Sequence, residues 1–446
     1  MRILRRVGIA AAAVLVVLTL LVSGVYLWQG PLLLTGTGYA AHNACAVERV
    51  AGRADPATDL PHNPLVPYVR VRVDGEVTTA SVLGLGTPQQ ARFTEGFGYT
   101  LASAPLELGQ PSEVSAAGNP FAGAPAPVPV PELEAALDRA FAVGEPDEVV
   151  ALLGTRGVVV VKHGELVAER YAEGFDASTP QLGWSMSKSV TSLMTGMLVQ
   201  QGVVSLGDDH LRPEWTDERA AITIENLLRM DSGLEWDETY DLGTPITRML
   251  YLEPDMGGYV AGLPLAHPVG QVQEYSSGST NVLCSVLAER TGIRADLPRQ
   301  TIFAALGLSS AVFEPDAVGT PVCSSYLWAT PRDWAAVGQF ALQNGEWNGE
   351  QLLPEDWMAT SLSLVDHELS DDPGYGMGWR TNVLPDGTLR WPGLPEDAFS
   401  ANGHDGQLML VIPSEGLVVV RLGFTPAASA SDTVVQLAAE ALAALG

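Results

Sequence analysis

Two pairs of apolar, strand-like segments stand at opposite ends of the second part of the chain and enclose a long stretch of helical patterns. The first pair covers residues 157–162 and 165–171, joined by a His-Gly turn typical of a hairpin. The second pair covers residues 408–412 and 417–422, followed by a closing helix predicted at 433–445. This order predicts an α/β protein of the α+β kind. We expect one antiparallel sheet that is formed by both termini of the domain, flanked by helices and interrupted by a helical insertion.

The N-terminus resembles a membrane segment. Arg2, Arg5 and Arg6 precede an uncharged apolar stretch over residues 7–28. This stretch matches the ~20 residues that cross a bilayer and exceeds the ~7–15 residues of a signal-peptide core. We therefore predict that residues 1–28 form a transmembrane helix that anchors the protein, with the rest of the chain extracytoplasmic, either periplasmic or at the cell surface. A small-x-small pattern at residues 38–40 leaves cleavage open, and the protein would then be secreted.

The remaining chain divides at a proline-rich segment. Residues 29–123, the N-terminal extension, are expected to be irregular and β-rich, with a hairpin formed by 68–73 and 77–83 around an Asp-Gly turn. Residues 124–131 alternate proline with small residues and predict an extended linker. Residues 132–446 are then one large unit, the main domain. The role of the extension stays open, and contact with a partner is one alternative.

Charge and cysteine content exclude several classes of function. The chain carries 24 Lys and Arg against 52 Asp and Glu, for a formal net charge of −28. Nucleic acid is therefore not an expected partner, because its binding requires clustered basic residues. Cys45, Cys284 and Cys323 allow at most one disulfide, whose pairing the spacing does not decide. The sequence contains no Cys-x-x-Cys or His-Glu-x-x-His spacing, and we predict neither a metal nor a cofactor.

A serine and a rare lysine carry the strongest chemical signal. The chain has only two lysines, Lys162 and Lys188, and the second follows Ser185 by three residues. Residues three apart lie on the same face of a helix, so the hydroxyl and the amine are expected to meet. Serine is a weak nucleophile until a neighbouring base accepts its proton, and a desolvated lysine is one such base.

Two later motifs complete a recognisable order. Tyr275-Ser276-Ser277 stands in a loop before an apolar run, and His404-Asp405-Gly406 precedes the first C-terminal strand. In this order the chain resembles the serine β-lactamase and penicillin-binding-protein superfamily, whose motifs are Ser-x-x-Lys, Tyr-x-Asn and Lys-Thr-Gly or variants. It is most similar to the esterases and amidases related to class C β-lactamases, a group that includes 6-aminohexanoate-dimer hydrolase. The resemblance covers about residues 150–446 and extends to other stretches at 222–234, 329–334, 344–349 and 375–379.

The resemblance implies a serine hydrolase that works through an acyl-enzyme. Ser185 would attack the substrate carbonyl, with Lys188 and Tyr275 as the proton relay. The backbone N–H groups of Ser185 and Gln407 would form the oxyanion hole. The residues expected to contact a small ester or amide substrate are Tyr240, Ser277, His404 and Gly406.

Two departures from the family pattern shift the expected substrate. His404 replaces a lysine that attracts a substrate carboxylate, and a mostly neutral imidazole is expected to attract it less. Ser277 replaces an asparagine that can hold a substrate amide, although Ser277 could instead only cap the following helix. Both changes favour an ester or small-amide hydrolase. The alternatives are a penicillin-binding sensor with little or no turnover, a D-alanyl peptidase or a β-lactamase. The oligomeric state stays open.

Overall fold

The computed structural model describes residues 2–55, 59, 65–84, 86–425 and 430–445. The chain begins with two consecutive helices, α1 (Arg2–Trp28) and α2 (Gly30–Arg49). Within these ranges no single helix has both the length and the apolar character needed to cross a membrane. A bent pair, Ala12–Tyr26 with Gly30–Arg49 at 59°, meets that test of length and composition together. The single transmembrane helix predicted at residues 1–28 is therefore not supported, and membrane attachment stays a prediction.

Helix α2 corrects the expectation of irregular and β-rich chain throughout the extension. Gly36 and Gly38 weaken its local helical pattern, because an interior glycine costs roughly 0.5–1 kcal/mol relative to alanine. Burial of the second half of the helix on all sides offsets this cost, and that tertiary contribution leaves no mark in the local sequence. The buried residues 40–47 are mainly small: Ala40, Ala41, Ala44, Cys45, Ala46 and Val47.

A four-stranded antiparallel sheet forms the other layer of the extension. Its strands, in spatial order, are β1 (Val69–Asp74), β2 (Val77–Val82), β3 (Gly86–Thr94) and β4 (Gly98–Leu101). The register from Val69 opposite Val82 to Asp74 opposite Val77 confirms the predicted hairpin. Helix α2 packs on this sheet against Ala80, Ala91 and Tyr99. Residues 124–130, in the predicted linker, contain neither helix nor strand.

The main domain contains the remaining elements. Its helices are α3 (Pro131–Ala140), α4 (Asp147–Leu153), α5 (Met186–Gln200), α6 (Ile224–Arg229), α7 (Pro245–Leu252), α8 (Met256–Ala261), α9 (Ser277–Thr291), α10 (Ala304–Leu306), α11 (Pro331–Leu342), α12 (Trp357–Leu362) and α13 (Ala430–Leu445). Its strands are β5 (Thr155–Lys162), β6 (Glu165–Tyr171), β7 (Gln181–Leu182), β8 (Val272–Gln273), β9 (Val312–Phe313), β10 (Leu327–Ala329), β11 (Glu346–Trp347), β12 (Glu350–Gln351), β13 (Leu369–Ser370), β14 (Arg380–Thr381), β15 (Phe399–Gly403), β16 (Gln407–Ile412) and β17 (Leu417–Gly423).

Six of these strands form one antiparallel sheet in the order β14-β15-β16-β17-β5-β6. Strand β17, near the C-terminus, pairs with β5, near the start of the domain, and Val419 lies opposite Val160. Both strands are rich in buried valine, whose branched side chain packs well in a pleated sheet. Helices α3 and α13 cover one face of the sheet, and α5 and α11 cover the other. The predicted sheet from both ends of the domain, with helices around it, is therefore confirmed.

The helical insertion is held by a disulfide. Cys284 of α9 is bonded to Cys323, and Cys45 is a free, buried cysteine in α2. This resolves the pairing that the sequence left open. The bond joins α9 to the residue directly before Ser324, and both partners are fully buried. Helix α9 and Ser324 both reach the candidate active site.

The extension is packed against the main domain through a buried carboxylate. Glu314 has no exposed surface, and its Oε1 accepts a hydrogen bond from the backbone N–H of Tyr99 at 2.9 Å. Nε2 of His42 lies 2.7 Å from Oε2 of Glu314, which also accepts from Nε1 of Trp328 at 3.1 Å. A buried carboxylate requires such partners, because an unpaired charge in the interior is costly. Helix α2 is thereby fixed beside the segment that leads to Ser185.

Candidate active site

Ser185 is the N-cap of helix α5, and the residues before it leave little room for substitution. Trp184 has φ of +48°, a left-handed conformation that is strained for a bulky side chain and is concentrated at functional sites. A Cβ atom on Gly183 would lie 2.2 Å from the ring of Trp334, so only glycine fits there. The nucleophile candidate therefore stands on a tightly constrained turn at the start of a helix.

Lys188 makes three hydrogen bonds at the centre of the site. Its Nζ donates to Oγ of Ser185 at 3.0 Å and to Oγ of Ser277 at 2.8 Å. The third acceptor is the carbonyl of Ser324, at 3.1 Å. The side chain is 2% exposed. Three acceptors match the three N–H donors of an ammonium group, so the geometry favours a charged amine beside the Ser185 hydroxyl.

Glu238 is a site residue that the sequence did not identify. Its Oε1 accepts a hydrogen bond from Oγ of Ser277 at 2.6 Å, and its Oε2 accepts from the backbone N–H of Ser277 at 2.9 Å. Nε1 of Trp236 donates to the same Oε2 at 2.6 Å. Because Ser277 in turn accepts from Lys188, the carboxylate orients the amine through one hydroxyl. A lone acid in a loop has no spacing signal, although Tyr240, two residues further along, was expected to contact the substrate.

Ser277 is not the helix cap that the sequence left as an alternative. Ser276 is the N-cap of α9, since its Oγ accepts from the backbone N–H of Ser279 at 2.9 Å. The hydroxyl of Ser277 is instead placed between Lys188 and Glu238. The serine at this motif position therefore works as a hydrogen-bond bridge within the site.

We expect Glu238→Gln to lower kcat by roughly 10–100-fold. The substitution would shift Ser277 and Lys188, and a misplacement of about 1 Å at the reacting atoms can lower the rate by about 10²-fold. The amide offers one acceptor oxygen in place of two, while three donors point at this side chain. The measurement is kcat and KM with a p-nitrophenyl ester, with Glu235→Gln, an exposed acid in the same loop, as the matched control. Equal kcat values for the two variants would contradict the orienting role of Glu238.

Tyr275 lies beside two cations. Its ring centroid is 4.9 Å from Nζ of Lys188 and 4.9 Å from Cζ of Arg380, a second residue that the sequence did not identify. Tyr375 packs edge-on against the ring at 5.3 Å. Burial lowers the pKa of Arg380, but Asp372 and the two tyrosines offset this and raise it overall, so the guanidinium stays charged. Both cations therefore contact the ring of Tyr275, and its proton-relay role stays a prediction.

The third motif places His404 in an aromatic group. Its ring lies 4.8 Å from that of Tyr240 and 5.7 Å from that of Trp184, so two predicted site residues meet beside the nucleophile turn. Nδ1 of His404 lies 2.9 Å from Oδ1 of Asp405. Burial lowers the pKa of His404, but the hydrogen bond and charge of Asp405, with the charge of Glu238, raise it above the usual value. This direction is opposite to the one that would keep the imidazole neutral, and the charge state of His404 stays a prediction.

This raised pKa predicts a pH effect with a definite sign. The imidazolium of His404 is stabilised in the folded state, so its contribution to stability is present below the unfolded pKa of about 6.5 and is lost as pH rises through the folded pKa. We expect the NMR titration midpoint of His404 to lie above that of free histidine. In Asp405→Asn the midpoint should move down, and asparagine tolerates the left-handed φ of +58° at this position. A native midpoint at or below that of free histidine would contradict this prediction.

The predicted oxyanion hole is not assembled in this structure. The backbone N–H of Gln407 donates to the carbonyl of His404, and its side chain bonds to both backbone groups of Gly423. Left-handed conformations at Asp405 and Gly406 tighten the turn and close that bond. Of the two predicted donors, only the N–H of Ser185 has no acceptor among the described residues.

Arg421 holds the same turn from inside the domain. This residue, fully buried and absent from the sequence predictions, donates from Nη1 to the carbonyl of Gly406 at 2.7 Å. Burial and the nearby Arg156 lower its pKa to about 10, so the guanidinium remains charged at neutral pH. Gly406 therefore directs its carbonyl toward the domain interior, and its predicted contact with substrate stays a prediction.

The three motifs converge on one place. A Cβ atom on Gly403 would lie 2.1 Å from the carbonyl oxygen of Gly183, so the third motif packs directly on the turn that carries Ser185. The second motif reaches the same point through the hydrogen bond of Ser277 to Lys188. In the part of the chain that the structure describes, no cluster of His, Cys, Asp and Glu could hold a metal ion.

Known proteins share this fold and part of the sequence. The chain is 25% identical over 296 residues to the 6-aminohexanoate-dimer hydrolase of Paenarthrobacter ureafaciens, which covers 61% of this chain and 73% of the relative. A Bacillus anthracis structure provisionally named 6-aminohexanoate-dimer hydrolase matches with a TM-score of 0.60 at 23% identity, over 76% of this chain and 92% of that one. A class C β-lactamase of Rhodobacter sphaeroides matches with a TM-score of 0.52 at 16% identity, over 71% and 99%.

The family model named Beta-lactamase matches residues 148–439. This segment spans more than half of the chain and contains Ser185, Tyr275 and His404 in the order seen above. The two structural matches show the same fold, and the related enzyme is a hydrolase. The protein is therefore a member of the Beta-lactamase family.

Proposed function

We propose that the protein is a serine hydrolase that cleaves an ester or small amide bond through an acyl-enzyme on Ser185. The observation that carries this proposal is the short contact between Nζ of Lys188 and Oγ of Ser185, 3.0 Å, in a site where Lys188 is almost fully buried. A buried cation beside a serine hydroxyl stabilises the alkoxide that forms when the proton leaves. The relative named 6-aminohexanoate-dimer hydrolase supports a reaction at an amide-type carbonyl.

In the proposed reaction, Oγ of Ser185 attacks the substrate carbonyl while its proton passes to Tyr275, whose ring centroid lies 4.9 Å from both Nζ of Lys188 and Cζ of Arg380. The tetrahedral intermediate then collapses, and the leaving group departs with that proton. Water attacks the acyl-enzyme with Tyr275 as base, which releases the acid and restores the serine. The N–H of Ser185 offers one oxyanion donor, and Gln407 offers a second when its bond to the His404 carbonyl opens.

The geometry supports the preference for esters and small amides. Ser277 is engaged by Lys188 and Glu238, so it offers a substrate less hydrogen-bonding capacity than an asparagine amide would. We also propose an extracytoplasmic location, either anchored or secreted. The Cys284–Cys323 bond supports this, because structural disulfides persist mainly in oxidising compartments.

A fluorophosphonate probe tests the nucleophile directly. After labelling and proteolysis, mass spectrometry should find the adduct on Ser185, and Ser185→Ala should lose it. An adduct on the neighbouring Ser187 or Ser276, with Ser185 unmodified, would refute the proposal.

Turnover separates an enzyme from a sensor on the same scaffold. A p-nitrophenyl ester should give a steady rate after any burst, whereas a sensor releases one equivalent of product and stops. Nitrocefin and a D-alanyl-D-alanine peptide, assayed alongside, address the β-lactamase and D-alanyl-peptidase alternatives, and faster turnover of either one would refute the preference for esters and small amides.

A further inference from the structure

A cavity of about 340 Å³ lies between the N-terminal extension and the main domain. One wall belongs to the extension, with Gly36 and Tyr39 from helix α2, Leu65 from the chain that leads into β1, and Val69 from the start of β1. The volume lies within the roughly 300–1,000 Å³ of small-molecule sites. The family match begins only at residue 148, so this wall comes from outside the matched segment.

The opposite wall is shared with the candidate active site. Trp184, Tyr240 and His404 line the cavity. Trp184 directly precedes Ser185, and its ring lies 6.5 Å from that of Tyr240. Tyr240 follows Glu238 by two residues, and Glu238 is hydrogen-bonded to Ser277 beside Lys188. A substrate whose carbonyl meets Ser185 can therefore extend an attached group past these three side chains into the cavity.

The chemistry of the lining selects uncharged groups. Most of the described lining residues are aliphatic or aromatic, and none of them is a lysine or arginine. Two carboxylates, Asp241 and Asp405, stand at the wall, and Oδ1 of Asp405 lies 2.9 Å from Nδ1 of His404, so any positive charge on that imidazole is already paired. The whole chain has a formal net charge of −28, so its electrostatic potential disfavours an anionic group on the substrate. Burial of apolar groups favours binding in proportion to the area removed from water.

We propose that this cavity is a substrate subsite for an uncharged apolar group of at least several carbon atoms, and that the N-terminal extension thereby determines specificity. This inference rests on the proposed acyl-enzyme function, because it places the reacting carbonyl at Ser185. Helix α2 then acts as a positioning and selecting wall and takes no part in the chemistry.

Gly36→Leu tests the subsite by filling it. A Cβ atom at Gly36 would meet only the end of the Leu65 side chain, at 3.2 Å, and leucine is a better helix former than glycine. We expect kcat/KM for p-nitrophenyl octanoate to fall by about fourfold for each methylene displaced, hence more than tenfold. The value for p-nitrophenyl acetate should change by less than about twofold, because its methyl group does not reach the cavity.

The matched control is Gly30→Leu, in the same helix. A Cβ atom at Gly30 would meet no atom within 4 Å, so this variant adds the same side chain away from the cavity. It should leave both esters unaffected. Conversely, Leu65→Ala enlarges the cavity and should raise kcat/KM for longer chains relative to the acetate.

Two substrate series identify the group that occupies the subsite. One series lengthens the acyl chain of p-nitrophenyl esters, and the other lengthens the alcohol of acetate esters. Comparing them shows whether the acyl part or the alcohol part of the substrate occupies the cavity. An octanoate that carries a terminal carboxylate should react more slowly than the neutral octanoate. If Gly36→Leu alters neither series, or if the charged ester reacts as well as the neutral one, the subsite is refuted. If the wild-type protein forms no acyl-enzyme on Ser185 with any ester, the proposed function fails instead.

Discussion

Replacing Lys188 by methionine should lower kcat/KM for a p-nitrophenyl ester by about 10³-fold, within the 10²–10⁴ range of a lost proton-transfer partner. Methionine keeps an unbranched side chain of similar length but removes the charge and all three donors. The hydroxyl of Ser185 would lose its 3.0 Å contact, and Ser277 would lose the cation that lies 2.8 Å from its oxygen. Most of the loss should appear in kcat, since the amine acts on the reacting atoms.

The chain supplies its own control for this variant. Lys162, the only other lysine, is the last residue of strand β5, where its Nζ is 3.3 Å from Oε2 of Glu415. Lys162→Met removes the same charge from the molecule and should keep nearly full activity. Thermal unfolding of both variants distinguishes a chemical defect from a folding defect. If Lys188→Met remains folded and turns over any ester at a near-normal rate, the lysine has no part in the proton relay.

Replacing Tyr275 by phenylalanine should lower kcat by about 10²–10⁴-fold, the usual contribution of general acid–base catalysis. The substitution keeps the aromatic ring that packs on Lys188, Arg380 and Tyr375, and removes one oxygen. That hydroxyl has no hydrogen-bond partner among the described residues, so its loss should leave stability almost unchanged. A large kinetic effect without a stability effect would identify it as a reacting group.

Tyr375→Phe is the matched control for the hydroxyl. Tyr375 touches the same ring, and its buried hydroxyl likewise lacks a hydrogen-bond partner in the described part of the chain. We expect activity within about threefold of the wild type, as for a substitution that touches no reacting atom. Similar losses of activity in the two variants would mean that ring packing, rather than proton transfer, explains the effect of Tyr275→Phe.

Local patterns account for the parts of the fold that the sequence predicted. The hairpin of β1 and β2 and the strand pairs of the main domain follow from alternation or valine runs between short turns. Helix α2 was missed, because its glycines and small residues form a helix that depends on contact with the sheet beneath it. The predicted transmembrane helix rested on length and apolar content alone, and no single described helix meets that test.

The sequence by itself determined that Ser185 and Lys188 meet, because residues three apart on a helix are neighbours whatever surrounds them. Only the tertiary structure decided the rest of the site. It brought Ser277 to an amine 89 residues away, and it placed Glu238 behind Ser277 and Arg380 beside Tyr275. It also placed the backbone N–H of Gln407 in a hydrogen bond to the carbonyl of His404, and helix α2 along the neighbouring cavity. Contacts between distant segments depend on the packing of the whole chain, and an isolated charged residue carries no periodic pattern that would predict its contacts.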